Sequence, residues 1–284
     1  MSVDLEDYYQ VQAFARHVNR ADWDRFPSRV ERNTQRVLDL LAETGTHATF
    51  FVLGWEARRR PGLIRQVAAR GHEIASHGMS HRMLDELTPE EFRSEAAESR
   101  TLLEDVTGTR VRGFRAPSYS VNGRTLWAVE ILGETGYEYD SSVYPIRRRR
   151  YGYPQGPKRP ALLRGRTGAI AEFPLPTVPI GPIRFPVLAG AYLRLLPTWA
   201  SLAALQYHRS TRTPAVVNVH PWELDPEQPG VGLSRSRYWA HYARLDTTES
   251  TLRRVLRAAP FRTVECVLST LGLLSSSPVP KVAP

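Results

Sequence analysis

Two histidines four residues apart stand in S-H-G-M-S-H, His77 and His81, directly after the strand-like run HEIAS. An H-x3-H pair can chelate one metal ion from a single helical turn, because positions i and i+4 share a face. Carboxylates that could complete such a site follow a very short leading strand, at Asp4, Glu6 and Asp7. A third histidine, His220, ends the apolar run of V-V-N-V-H-P-W and is followed at once by Pro221. Two histidines and one carboxylate match a catalytic metal centre that leaves positions for water and substrate. A second carboxylate would take the proton from that water, and a separate histidine would protonate a leaving amine. Singly, each feature has a plainer reading: a terminal acidic cluster is usually solvated, and a strand-end histidine usually packs.

The elements around them alternate. Arg29 to Leu41 puts Val30, Val37, Leu38 and Leu41 on one helical stripe, and ATFFVL (Ala48 to Leu53) reads as a buried parallel strand. Pro61 to Arg70 reads as a helix begun by proline and stopped by Gly71, and His72 to Ser76 as a strand. TPEE at Thr88 predicts a capping box that opens a helix to Val106. Strands at Val111 to Phe114 and Tyr137 to Asp140 flank a helix over Arg124 to Glu134. Residues 145 to 186, rich in Pro, Gly and Arg, read as long loops or a β insertion. Beyond them, helices are expected at Pro197 to His208 and Thr248 to Ala258, and strands at Ala215 to Val219 and Arg262 to Val267. The tail from Ser275 reads as loose. This β/α alternation implies a parallel sheet covered by helices, with function at the C-terminal strand ends.

The 284 residues carry a net charge of +9 and one cysteine, Cys266, which cannot form an intramolecular disulfide. Only Lys158 and Lys281 are lysines, so arginine supplies nearly all the basic charge, including RRRR at Arg147 to Arg150. Arginine-rich surfaces suit anions such as nucleic acid, phospholipid or acidic glycan. The N-terminus carries acids where a signal peptide needs basic and apolar residues, and no run reaches the length of a membrane span. A cytoplasmic protein is expected, with peripheral membrane association left open by the charge.

Five segments in order resemble the polysaccharide deacetylase (NodB-homology, carbohydrate esterase) superfamily: V-D-L-E-D, S-H-G-M-S-H, R-G-F-R-A-P-S-Y-S, Y-D-S-S-V-Y-P and V-N-V-H-P-W. Across nearly the whole chain, A-G-A-Y-L-R-L-L-P, H-P-W-E-L-D-P and H-Y-A-R-L-D-T-T-E resemble the exosortase (PEP-CTERM)-associated deacetylases. The resemblance implies an α/β fold, a distorted (β/α) barrel of about seven parallel strands. It is expected as one domain over 1–284, with the insertion at about 145–186 and a family-specific C-terminal part at about 222–274. It also implies removal of N-acetyl groups from amino sugars of an exopolysaccharide or its lipid-linked precursor.

Carried over residue by residue, Asp4 is the general base, Arg115 orients it, and His220 is the general acid. His77 and His81 bind a divalent metal, with zinc expected. The D-x-D form of the first motif points to Glu6 as the acidic ligand and the adjacent-pair form to Asp7. Tyr119 or its neighbour would give a backbone N–H to the oxyanion, and Tyr144 and Trp222 would stack on sugar or pack. The sequence departs from the family in reading Asp4-Leu5-Glu6-Asp7 where two adjacent aspartates are usual, and in placing Ser118 between Pro117 and Tyr119. The expected partner is an N-acetylated glycan, with no nucleic acid. The rival readings are a cyclic amide hydrolase of the same superfamily and a non-catalytic barrel that binds glycan or nucleic acid.

Overall fold

The computed structural model describes residues 1–148, 151–165, 168–231 and 235–274. Arg149 and Arg150 of the arginine run, and the tail from Ser275, lie outside the described residues. The first half alternates as expected: β1 (Ser2–Leu5), α1 (Val30–Glu43), β2 (Thr49–Val52), α2 (Gly54–Arg59), α3 (Pro61–Ala69), β3 (Glu73–Ser76), α4 (Pro89–Thr107), β4 (Gly113–Phe114), α5 (Trp127–Glu134) and β5 (Tyr139–Asp140). The capping box forms, with Thr88 Oγ1 accepting from the Glu91 amide and Glu91 Oε2 from the Thr88 amide. Then follow β6 (Ala161–Arg164), β7 (Ala169–Glu172), β8 (Thr177–Ile180), β9 (Ile183–Pro186), α6 (Ala191–Leu195), α7 (Thr198–Ser210), β10 (Asn218–Val219), α8 (Arg235–Tyr242), α9 (Leu245–Ala258) and α10 (Val264–Thr270).

One sheet runs β10-β1-β2-β3-β4-β5-β7-β6. Seven strands are parallel, and only the edge strand β6 is antiparallel. Among the described residues no ladder joins β10 to β6, so the barrel is open. Strand alternation divides the side chains between two apolar clusters. Val3, Leu5, Phe50, Val52 and Ile74 join the cluster under the helices. Phe51, Ala75, Tyr139 and Ala171 join a second cluster, inside the curl. Gly113 permits that interior: a Cβ there would lie 1.9 Å from Cζ of Tyr139, whose hydroxyl donates to half-buried Glu73.

Two expectations change. The segment read as loops or a β insertion supplies β7, the seventh parallel strand, beside the separate β8–β9 hairpin. The strand expected at Arg262 to Val267 is instead the start of α10. Thr263 caps that helix by accepting from the Cys266 amide, and Val264 and Leu268 recur at helical spacing as its buried residues. The free amides of its first turn dock on the sheet: Val264 donates to Thr49 Oγ1 at 2.7 Å and Glu265 to Glu73 Oε2 at 3.1 Å. Satisfaction of these amides by strand side chains decides helix over strand.

Candidate active site

β1 places Asp4 inside the curl, 1% exposed, beside Arg115 at the end of β4, which is fully buried. Arg115 donates from Nη1 to Asp4 Oδ1 at 2.7 Å and to Asn218 Oδ1 at 2.6 Å. Its Nε and Nη2 donate to the carbonyl and hydroxyl of Ser141, and its guanidinium lies 3.9 Å over the Phe51 ring. Asn218 Nδ2 donates to the other Asp4 oxygen at 3.0 Å. Burial acts to raise the Asp4 pKa, but the charges of Arg115, His77 and His220 outweigh it and hold the carboxyl below its usual range.

The acidic cluster separates into different jobs. Asp7 turns away: it accepts from the Tyr8, Arg29 and Val30 amides and from the Ser28 hydroxyl, tying down the loop between β1 and α1. Glu6 instead meets His77 and His81, with one ligand atom from each all lying within 4.8 Å of one another. The histidine pair is not on a helical turn, as its spacing suggested. β3 ends at Ser76, whose hydroxyl accepts from the Gly78 amide. Gly78 (φ 75°) and His81 (φ 56°) then take left-handed conformations that fold the loop back, bringing the ring centroids to 5.4 Å.

This trio fits a divalent metal. His77 Nδ1 donates to the Arg115 carbonyl at 2.8 Å, which leaves the Nε2 lone pair free. Burial, with His81 and Arg115 beside it, outweighs Asp4 and Glu6 and brings the His77 pKa down to about 4, so the ring is a neutral ligand. Burial acts to raise Glu6, but the charges of His81, His220 and His77 bring it to about 2. Glu6 Oε2 lies 2.7 Å from His81 Nε2 without hydrogen-bond alignment, and it has no hydrogen-bond partner among the described residues. A cation between these two donor atoms would satisfy both.

Opposite stands His220, its Nε2 3.6 Å from Asp4 Oδ2 and 3.7 Å from Glu6 Oε1. Glu223 accepts from His220 Nδ1 at 2.9 Å and is itself held by Arg194 Nε at 3.3 Å. Burial acts to lower the imidazole pKa, but the Glu223 hydrogen bond and charge, with Glu6 and Asp4, raise it to about 9. A carboxylate kept ionised by Arg115 thus lies near an imidazole kept protonated by Glu223.

These groups open on a cavity of about 230 Å³, also lined by Ser118, Tyr119, Tyr144, Tyr151 and Tyr192. Ser118 (φ 55°) and Tyr119 (φ 54°) both have left-handed backbones, which cost about 1–2 kcal/mol each for non-glycine residues. The Tyr119 amide is spent on the Ala116 carbonyl, so it cannot serve an oxyanion. The Tyr119 hydroxyl instead accepts from Asn218 Nδ2 at 2.8 Å. Trp222 offers no free face to a sugar: His220 stacks on it at 5.1 Å and His241 at 4.4 Å, and its Nε1 donates to Glu6 Oε1. Tyr144 is 1% exposed and packs edge-on against Tyr119 and Tyr192, yet its hydroxyl has no partner among the described residues.

Sequence reasoning missed the residues that orient these groups: Asn218, Glu223, Arg194 and Ser141. Asn218 and Glu223 left a readable signal, the polar residue inside V-V-N-V and the acid three places after His220.

Residues 22–139 match the polysaccharide deacetylase family model. Over that stretch the chain is similar to polysaccharide deacetylases. Residues 141–269 match a domain of unknown function (DUF3473). Over 100 residues the chain is 41% identical to a chitooligosaccharide deacetylase from Sinorhizobium fredii, covering 35% of this chain and 44% of that protein. Over 98 residues it is 31% identical to a peptidoglycan-N-acetylglucosamine deacetylase from Bacillus cereus, covering 34% and 36%. The matched stretch thus spans less than half the length of these relatives. In fold, the chain is similar to the crystal structure of a polysaccharide deacetylase from Mycobacterium smegmatis, with TM-score 0.63 and 20% identity over 100% of this chain and 93% of that one. The site straddles the matched regions. His77, His81 and Arg115 lie in the deacetylase match, Ser141, Arg194, Asn218, His220 and Glu223 in the other, and Asp4 and Glu6 before both.

Proposed function

We propose that the chain is a metal-dependent hydrolase that removes N-acetyl groups from amino sugars of an exopolysaccharide or its lipid-linked precursor. One observation carries it: a cleft where Asp4, His220 and the Glu6–His77–His81 trio face one another. Asp4 takes a proton from the attacking water. Water oxygen bonds to the acetamide carbon, the C–N bond breaks, acetate leaves, and His220 Nε2 protonates the departing amine. Glu6, His77 and His81 would hold a divalent ion such as zinc, which would supply Lewis-acid polarisation of the carbonyl. Arg115 keeps Asp4 ionised and aimed, and Glu223 holds the His220 tautomer and charge. With the Tyr119 amide engaged, the neighbouring Ser118 amide is the backbone candidate for the oxyanion. Named deacetylases among the relatives support the acetamide chemistry, and the resemblance to exosortase-associated deacetylases supports the exopolysaccharide setting.

The test is acetate release from a panel of N-acetylated oligosaccharides, with metal content measured on the same protein. Release that follows metal occupancy is expected. Metal-loaded protein inert on the whole panel, yet active on a cyclic imide, would overturn the glycan assignment.

A further inference from the structure

Two buried acids take no part in that chemistry. Asp140 in β5 and Glu172 in β7 are direct register partners, and both are fully buried. They stand on neighbouring parallel strands, so their side chains project from the same face of the sheet. No lysine or arginine hydrogen-bonds to either carboxyl among the described residues. Arg115, the charged group that faces the pair, spends its donors on Asp4, Asn218, Ser2 and Ser141. The antiparallel neighbour β6 sets Ala161 opposite Glu172 and adds no titratable group there.

The hydrogen bonds to the pair are asymmetric. Ser142 Oγ donates to Asp140 Oδ1 at 2.5 Å, and the Val143 amide donates to Glu172 Oε1 at 3.0 Å. The other oxygens, Asp140 Oδ2 and Glu172 Oε2, are both buried without a donor. Two adjacent carboxylates without a counter-ion cannot both stay ionised. One proton placed between them satisfies both orphan oxygens.

We propose that Glu172 carries this proton, donates it to Asp140, and so acts with Asp140 as a positioning pair for the catalytic base. The connection runs through two consecutive serines. With its own proton committed to Asp140, Ser142 Oγ is an acceptor for the Ala116 amide at 2.7 Å, at the start of the Ser118–Tyr119 turn. Ser141 accepts from Arg115 through its carbonyl at 2.9 Å and its hydroxyl at 2.8 Å, and Arg115 holds Asp4. A second negative charge on the pair would compete with Asp4 for Arg115. Burial accordingly raises Asp140 to about 6 and Glu172 well above the carboxylate range.

The catalytic part of this inference rests on the deacetylase reading; the shared proton does not. Infrared spectra at neutral pH should show a protonated-carboxyl C=O band in the wild type that is missing in Glu172→Gln. Glutamine mimics the protonated acid, so its melting temperature should gain on the wild type as pH rises from about 5 to 9. That sign follows because a raised folded pKa stabilises at low pH and is lost as pH rises through it. Glu172→Ala should lower kcat at least tenfold with KM within twofold, and Glu172→Gln should restore kcat to within threefold. Identical infrared spectra for wild type and Glu172→Gln would overturn the shared proton. A glutamine variant as slow as the alanine one would overturn the positioning role. Absence of acetate release from every protein, with the infrared difference present, would overturn the deacetylase reading and leave the shared proton standing.

Discussion

The strands up to β4 and the region after β5 contribute differently to the cleft. The first supplies Asp4, Glu6, His77, His81 and Arg115, four of them groups that can touch water, metal or acetamide. The second supplies His220 and most of the groups that orient: Ser141 on Arg115, Asn218 on Asp4, Glu223 and Arg194 on His220. Reactive groups and their supports thus come from different parts of the chain, with Asp4 and Glu6 ahead of both matched regions. Neither region holds the whole cleft, and residues 141–269, which match a domain of unknown function, contribute Ser141, Arg194, Asn218, His220 and Glu223 to it.

Substitutions can break this division at either side. The largest effect is expected from His81→Ala, which removes a ligand. Metal content should fall to background and acetate release by about 10³-fold or more, since a bound metal supplies several kcal/mol of transition-state stabilisation. On the other side, His220→Ala should keep the metal and lose about 10²–10⁴-fold in kcat, the usual worth of a general acid. Metal loss in that variant would erase the distinction between ligand and acid.

A smaller effect tests the supports. Glu223→Gln should cost about 10–100-fold, as orienting partners do, and move the alkaline limb of kcat/KM to lower pH. The direction follows from Glu223 raising His220 to about 9. Stability from this pair is complete below the unfolded histidine value of about 6.5 and is lost as pH rises through about 9. The melting temperature of Glu223→Gln should therefore approach the wild-type value as pH rises across that range. The smallest effect belongs to Asp7→Ala, about 1–2 kcal/mol of stability from a lost cap and its hydrogen bonds, with metal affinity unchanged. Weakened metal binding there would return Asp7 to the ligand set.

The same division explains what could be read in advance. β1 to β5 carry strong apolar periodicity and clear stop signals, so their alternation and the strand-end placement of Asp4, His77 and Arg115 were legible. Spacing could not choose between Glu6 and Asp7, because the choice depends on Ser28 and the Arg29 and Val30 amides, two dozen positions away. It also suggested a helical turn for His77 and His81, where a serine side chain and two left-handed residues build a loop. β7 was hidden inside a Pro- and Gly-rich stretch, and α10 by a β-branched run whose end amides dock on Thr49 and Glu73. Spacing left Trp222 open to stacking on sugar or to packing, because the stacked His241 that decides for packing lies nineteen residues on.

In the proposed reaction Asp4 acts on water while the trio beside it holds the metal. Asp4→Asn separates the two most directly, with metal stoichiometry and acetate release measured on one preparation. Wild-type metal content is expected, with turnover reduced about 10²–10⁴-fold. Undiminished acetate release by that variant would contradict it.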